Sequence, residues 1–290
     1  MTGGRKFDMK FSIIVVCLNP GEKLRQTLES ILSQTYTDYE IVIKDGGSKD
    51  GSIDGLREDV RFSQNPRIKL YVEKDVGIYD AMNQAVAHAE GDFILFLNCG
   101  DIFYRDTVLE ETACYALKCV NTGGEQQEKS AKTSLNYLVL YGDTYSEKNG
   151  VVIASAPEIS GFTCYRNIPC HQSCFYAARL CKEKPYDAAY RIRADYDHFL
   201  WCYYVAKAKM QHMGFPVASY EGGGYSESKE NRKRDKEEHK QITEHYMGKG
   251  ELIKYRLIML ATLAPLRSAM AESKLFSGLY HSIKEIVYHK

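Results

Sequence analysis

Apolar residues along the chain fall into short runs separated by polar, glycine-containing junctions. The run 11–18, FSIIVVCL, is continuous and rich in β-branched residues, the pattern of a strand covered on both faces. Similar runs recur at 39–44 (YEIVIK), 67–72 (RIKLYV) and 92–97 (DFILFL). Between them the spacing changes to that of helices. After Asn19-Pro20, the stretch EKLRQTLESILSQ sets Leu24, Leu28, Ile31 and Leu32 on one side; Asn19 suits a helix cap and Pro20 the first helical position. GIYDAMNQAVAHAEG carries a second helical pattern that ends at Gly91. This alternation predicts βαβ units with right-handed crossovers, hence an α/β, Rossmann-like, mostly parallel sheet flanked by helices. Ligands of such sheets gather outside the carboxyl ends of the strands, so the segments after Leu18, Lys44, Val72 and Leu97 are the places to look for chemistry.

The second half is less periodic. Residues 121–133 (NTGGEQQEKSAKT) read as a surface loop, YLVLYGD and VVIAS as a hairpin, and DYDHFLWCYYVAKA (195–208) as a helix. Three glycines at 222–224 suggest either a hinge or lid or a plain flexible linker, and SESKENRKRDKEEHK follows as a charged stretch. These features divide the chain into a body at 1–225 and, at 226–290, a charged linker with a helical tail. The tail's charge-free apolar piece, 257–266, has ten residues and contains Pro265, whereas a bilayer-spanning helix needs about 20. With Lys254, Arg256, Arg267, Lys274 and Lys284 nearby, it either packs on the body or lies in a membrane interface.

Charge narrows the choice of partner. Lys plus Arg and Asp plus Glu both total 38, so the chain lacks the basic excess that drives binding to nucleic acid. From Ser226 onward 13 basic residues face 9 acidic ones, which suits a tail resting on a membrane surface. The nine cysteines show no CxxC spacing and no secretory segment precedes them, so reduced thiols in a cytoplasmic protein are expected. Cys170 and Cys174 flank His171, but no second cluster supplies further zinc ligands.

The strand tips are acidic. KDGGSKDGS follows the second strand with Asp45; EKDVGIYDAMNQA follows the third with Glu73, Asp75, Asp80 and Asn83; NCGD follows the fourth with Asn98 and Asp101. Carboxylates crowded at one sheet edge repel one another and call for a cation. A hard divalent ion, Mg2+ or Mn2+, held by one or two carboxylates with phosphate oxygens filling its remaining positions, meets that need. On this reading Asp101 holds a metal that also binds a diphosphate.

FSIIVVCLN, DGGSKDGS, EKDVGIYDAMNQA and GDFILFLNCGD, in this order and spacing, resemble the inverting family 2 glycosyltransferases of the GT-A fold, most closely the branch that builds bacterial surface and capsular polysaccharides. The likeness covers about residues 9–225. It implies transfer of a sugar from a nucleoside diphosphate sugar to a glycan or lipid-linked acceptor by metal-assisted single displacement, at the inner face of the cytoplasmic membrane. It further implies that Asp45 recognises the nucleotide base, that Asp75 lines the donor pocket with Asn19, Asp80, Asn83 and Asn98, and that Asp101 is the metal-binding carboxylate of an Asp-x-Asp-like motif. Asn98 stands where many members carry the first Asp, and an amide brings no charge to a metal. RIRADYDHFLW resembles the segment bearing the family's catalytic base, which maps to Asp195, with Asp197 as the fallback. Ile168-Pro169-Cys170-His171-Gln172-Ser173 resembles the Pro-x-His-Gln element and puts His171 and Gln172 near the donor sugar and diphosphate.

Other readings are weaker. A sugar nucleotidyltransferase needs a Gly-rich, Arg-containing loop after strand one, where LNPGEKLRQ stands, and an oxidoreductase needs a GxGxxG there. A degenerate transferase serving as a nucleotide-sugar-binding scaffold is compatible with Asn98 but leaves Asp101 and Asp195 without a use.

Overall fold

A computed structural model describes residues 9–120, 135–221 and 231–262. The loop expected at 121–133, the glycines at 222–224 and the tail beyond 262 lie outside the described residues. Strands β1 (Phe11–Cys17), β2 (Tyr39–Asp45), β3 (Ile68–Val72) and β4 (Phe93–Phe96) pair in parallel in the order β3-β2-β1-β4. They coincide with the four apolar runs to within a residue or two. Phe11, Ile13, Ile14, Val15, Ile41 and Ile43 have no exposed surface. Burying each such side chain contributes about 1.5–3 kcal/mol relative to leaving it in water, which explains why these runs carry no polar alternation.

Helix α1 (Lys23–Leu32) buries Leu24, Leu28 and Ile31, as the spacing predicts, but begins later than the Asn19-Pro20 cap would have it. Asn19 adopts φ +50° in a turn before the helix; its Oδ1 accepts from Lys49 N and its own N–H donates to Ser48 Oγ, both in the β2 loop. The cap expectation fails because a better partner lies across the sheet edge. Helices α2 (Ser52–Glu58), α3 (Val60–Ser63), α4 (Ile78–His88) and α5 (Val108–Val120) complete the first half.

The second half extends the sheet with antiparallel pairings. β8 (Cys174–Ala177) runs antiparallel to β4, then β6 (Leu138–Ser146) antiparallel to β8; β9 (Lys209–Tyr220) lies parallel to β6, and β7 (Val151–Ile153) forms the expected hairpin with β6. β5 (Ile102–Phe103) pairs with the end of β9, Ile102 opposite Ser219. That pairing holds the turn at Asn98–Asp101 against Tyr220 and Glu221, so the parallel half and the antiparallel half meet at the Asp101 tip.

The charged stretch after 226 is not linker throughout. Residues Asn231–Tyr246 form a helix that buries Glu238, Ile242 and Thr243 against the helix Ala194–Tyr204, with His239 stacked on Tyr196 at 5.1 Å. A single buried aliphatic, Ile242, gives this helix too little apolar periodicity to be recognised in the sequence. The next helix, Lys249–Ala261, packs Tyr255 on Phe162 and Tyr165 near the helix Gly161–Arg166. A Cβ at Gly161 would lie 2.3 Å from the Tyr255 hydroxyl, so a larger residue there must displace that ring.

Candidate active site

A cleft of about 540 Å3 opens where the two halves of the sheet meet. Most of its wall comes from three segments, Asn98–Asp101 after β4, Asn167–Gln172 before β8, and Arg191–Tyr196 entering the helix Ala194–Tyr204, with Lys23, Tyr79 and Glu221 at its edges. Of the residues singled out in the sequence, Asn98, Asp101, His171, Gln172 and Asp195 line this cleft together.

Asp195 sits at the start of its helix with both carboxylate oxygens engaged. Oδ1 accepts from Tyr196 N at 2.9 Å and lies 3.1 Å from the Tyr79 hydroxyl; Oδ2 is 3.3 Å from His171 Nδ1. Burial alone would raise its pKa, but His171, Arg193 and the Tyr196 N–H reverse this and hold the carboxyl below the usual carboxylate range. For His171, burial lowers the pKa, yet the Asp195 hydrogen bond and charge, aided by Asp101, leave it raised above the usual histidine value. Carboxylate and imidazolium thus stabilise each other.

The far side of that imidazole constrains Asn98. Nε2 lies 3.0 Å from Asn98 Nδ2, and Asn98 Oδ1 is buried without a hydrogen-bond partner among the described residues. Two N–H donors face each other when His171 is protonated. Turning the amide lets Oδ1 accept from Nε2–H, which satisfies the orphaned oxygen and the cation at once.

Asp101 is held by backbone, with its carboxyl left free. Its N–H donates to Asn98 O at 2.9 Å, and its carbonyl accepts from Thr27 Oγ1 on α1 at 2.9 Å, while Gly100 N donates to the same hydroxyl. Burial pushes the Asp101 carboxyl up to about 6, against the opposing pull of His171 and Lys23. Lys23 does not neutralise it, because its ammonium pairs with Glu221 at 2.5 Å. Among the described residues no group of three His, Cys, Asp or Glu is arranged as a metal site. The donor set still fits a divalent ion that takes one carboxylate from the protein and its other oxygens from diphosphate and water.

The remaining expected residues lie elsewhere. Asp45 is buried and closes its own turn: Oδ2 accepts from Gly47 N and Ser48 N at 2.9 Å each, and Oδ1 from the Ser48 hydroxyl. Asp75 pairs with fully buried Lys44 over Gly46, where an added Cβ would meet Asp75 Oδ2 at 2.8 Å. With Asn19 these form a second cluster, linked to the cleft through Cys17, whose thiol contacts Asp45 at 3.7 Å and also meets Cys99. Asp80 accepts from Val76 N and Gln84, and Asn83 exchanges two 2.8 Å hydrogen bonds with the Tyr186 backbone, so both brace α4. Asp197, the fallback base, is tied to Lys184 at 2.9 Å and Tyr246 at 3.0 Å and does not reach the cleft. Cys174 is buried and its thiol donates to Cys170 O.

Sequence reasoning missed Lys23, Tyr79, Arg191, Arg193 and the bracing helix. Glu238 of that helix accepts from the backbone N–H groups of Arg191, Ile192 and Arg193 at 2.9–3.0 Å, and Asp235 clamps the Arg193 guanidinium at 2.7 and 3.0 Å. The Arg191-Ile192-Arg193 run beside Asp195 was the available signal for the arginines; nothing local marked Glu238.

The fold and this cleft define a GT-A-type transferase. A model of the family described as Glycosyl transferase family 2 matches residues 12–124. A PGL/p-HBAD biosynthesis glycosyltransferase of Mycobacterium bovis (strain BCG / Pasteur 1173P2) is 33% identical over 218 residues, covering 74% of this chain and 78% of that protein. The chain belongs to glycosyltransferase family 2 and is a glycosyltransferase. In fold it is similar to S. aureus TarS 1-349 (TM-score 0.58, 19% identity, 73% of this chain and 60% of that one). It is equally similar to the mannosyltransferase PcManGT from Pyrobaculum calidifontis, solved with GDP-Man and Mn2+ (TM-score 0.58, 13% identity, 97% and 88%).

Proposed function

We propose that the protein transfers a sugar from a nucleoside diphosphate sugar to a glycan or lipid-linked acceptor with inversion. The observation that carries this is the placement of ionised Asp195 and unneutralised Asp101 on one cleft. The acceptor hydroxyl oxygen forms a bond to the anomeric carbon as the bond to the diphosphate breaks on the opposite face, and Asp195 receives the hydroxyl proton. Asp101 would hold Mn2+ or Mg2+, which supplies charge neutralisation for the leaving diphosphate. His171 and Gln172 face the same space, and His171 brings a positive charge to it. Asn19, Asp45 and Asp75 shape the nucleotide end; because both Asp45 oxygens are occupied, base recognition there requires a nucleobase donor to displace the Ser48 contacts. Complexes of structural neighbours with UDP-GlcNAc and with GDP-Man and Mn2+ support a sugar-nucleotide donor of this kind.

The test is a binding and turnover screen of UDP, GDP and dTDP sugars with and without Mn2+. Tight, Mn2+-dependent binding of one base class with slow donor hydrolysis is expected. Nucleotide binding with no turnover toward water or any acceptor would support a scaffold role, for which Asn98 is the argument.

The tail supports attachment to the inner face of a membrane. On the helix Lys249–Ala261, Ile253, Leu257 and Leu260 are each more than half exposed, and their spacing puts them on one face with Lys254 and Arg256 nearby. No helix among the described residues is long and apolar enough to cross a membrane. An exposed apolar stripe with basic residues beside it suits the headgroup region. The full chain is expected to sediment with vesicles containing phosphatidylglycerol and to lose most of that binding as Leu257→Asp with Leu260→Asp. Equal sedimentation of both proteins would remove the helix from the contact.

A further inference from the structure

The parallel strands that end at the cleft bring two thiols together. Ile14 on β1 lies opposite Phe96 on β4, and the same register continued three residues on puts Cys17 beside Cys99. Both are free thiols and neither is fully buried. Cys99 lines the cleft in the turn that leads from Asn98 to Asp101. Cys17, the last residue of β1, directs its thiol at Asp45 Oδ1 at 3.7 Å and shares a hydrogen bond with the Cys99 thiol.

The two sulfurs therefore stand between the nucleotide-end cluster and the Asp101 tip. On one side is the turn that Asp45 closes by accepting from Gly47 N and Ser48 N; on the other, Asp101 follows Cys99 by two residues. The Cys99 contact, burial and the Asp45 charge raise the Cys17 thiol above its usual range and keep it protonated, so the cleft-facing Cys99 is the sulfur that meets an oxidant first. Cys164, Cys174, Cys181 and Cys202 are buried and shielded from that encounter.

We propose that Cys17 and Cys99 form a reversible disulfide that weakens metal-dependent diphosphate binding. The oxidant is a low-molecular-weight disulfide. The Cys99 sulfur attacks it as a thiolate and expels one small thiolate; Cys17, its proton leaving toward the Asp45 carboxylate, then attacks the Cys99 sulfur and expels the second. The two protein thiols lose two electrons and two protons, and the small disulfide leaves as two thiols. The new bond draws Cys99 toward β1 and takes with it the turn in which Asp101 N donates to Asn98 O and Asp101 O accepts from Thr27. A carboxylate shifted in this way no longer meets an ion and a diphosphate in register. The effect on binding rests on the proposed function for Asp101, whereas the bond itself does not.

The full chain is equilibrated across ratios of reduced to oxidised glutathione, trapped with N-ethylmaleimide, digested and mapped by mass spectrometry. The peptides carrying Cys17 and Cys99 are expected to be joined in oxidising mixtures and separate in reducing ones. In Cys17→Ser the joined peptide should vanish and Cys99 should carry glutathione instead. Calorimetric binding of UDP and of GDP in Mn2+ should weaken about tenfold on oxidation, the size of one charge-assisted contact, and return with dithiothreitol. No joined peptide at any glutathione ratio, or Cys99 joined to another cysteine or to a second chain, would overturn the pair. A joined peptide with unchanged nucleotide affinity would overturn its control of the diphosphate. The map of the unaltered chain needs no nucleotide, so reduced protein without Mn2+-dependent binding would count against the proposed function while the map still decides the disulfide.

Discussion

Asp195→Asn is expected to abolish sugar transfer while nucleotide affinity stays near that of the unaltered protein. The amide keeps the shape of the carboxylate and can still accept from Tyr196 N, but it cannot take a proton from the acceptor, and it removes the charge that raises the His171 pKa. General-base groups contribute about 100- to 10,000-fold to rate, and a loss of that order is expected at saturating donor. Initial rates of transfer and of donor hydrolysis, set beside calorimetric nucleotide binding, check this. Undiminished turnover would take Asp195 out of the mechanism. A fall in nucleotide affinity equal to the fall in rate would mean that the residue supports the cleft and does not act on the acceptor.

Asp101→Asn should show opposite effects on binding and on stability. Without the carboxylate, Mn2+ should no longer strengthen diphosphate binding, and an unchanged metal titration would refute its role. In chelator, however, the variant should melt higher at pH 8. The Asp101 carboxyl titrates near 3.8 when free and is pushed up to about 6 by burial in the folded chain. Between these values the folded protein binds the extra proton, so stability falls as pH rises through this window, and above about pH 6 the chain carries a buried charge at a cost of at most about 3 kcal/mol. The amide lifts that cost, so the gain should shrink as pH falls toward 4. The same protonation predicts that metal-dependent binding is lost on acidification through about pH 6.

Much of the site could be read locally. Cys17, Asp45 and Asn98 stand at strand ends because the apolar runs stop there, and parallel pairing with Cys17 opposite Asp45 brings those ends side by side. Asp195 and His171 were legible through the motifs around them. Asp80 and Asn83 could not be placed from the sequence, because a polar residue after a strand looks the same whether it faces a ligand or braces a helix. Their partners, Val76 N and the Tyr186 backbone, lie 4 and 103 residues away, and only the second is out of local reach. Glu238 was invisible for the same reason: its three acceptor contacts are to N–H groups 45–47 residues distant, and its helix buries one aliphatic side chain.

The sequence by itself determined the parallel core, since continuous β-branched runs can be satisfied only when covered on both faces, and it determined where the reactive carboxylates would stand along the chain. The tertiary structure alone decided which of them remain available. That outcome depends largely on contacts between distant segments, which occupy Asp75 and Asp197, pair Asp195 with His171, and leave the half-buried Asp101 carboxyl with no cation of its own; Asp45 is saturated within its own turn. Such contacts form only when segments far apart in the chain pack together, as Tyr79 does on Asp195, 116 residues away, and Tyr246 on Asp197, 49 residues away, and no local spacing encodes them.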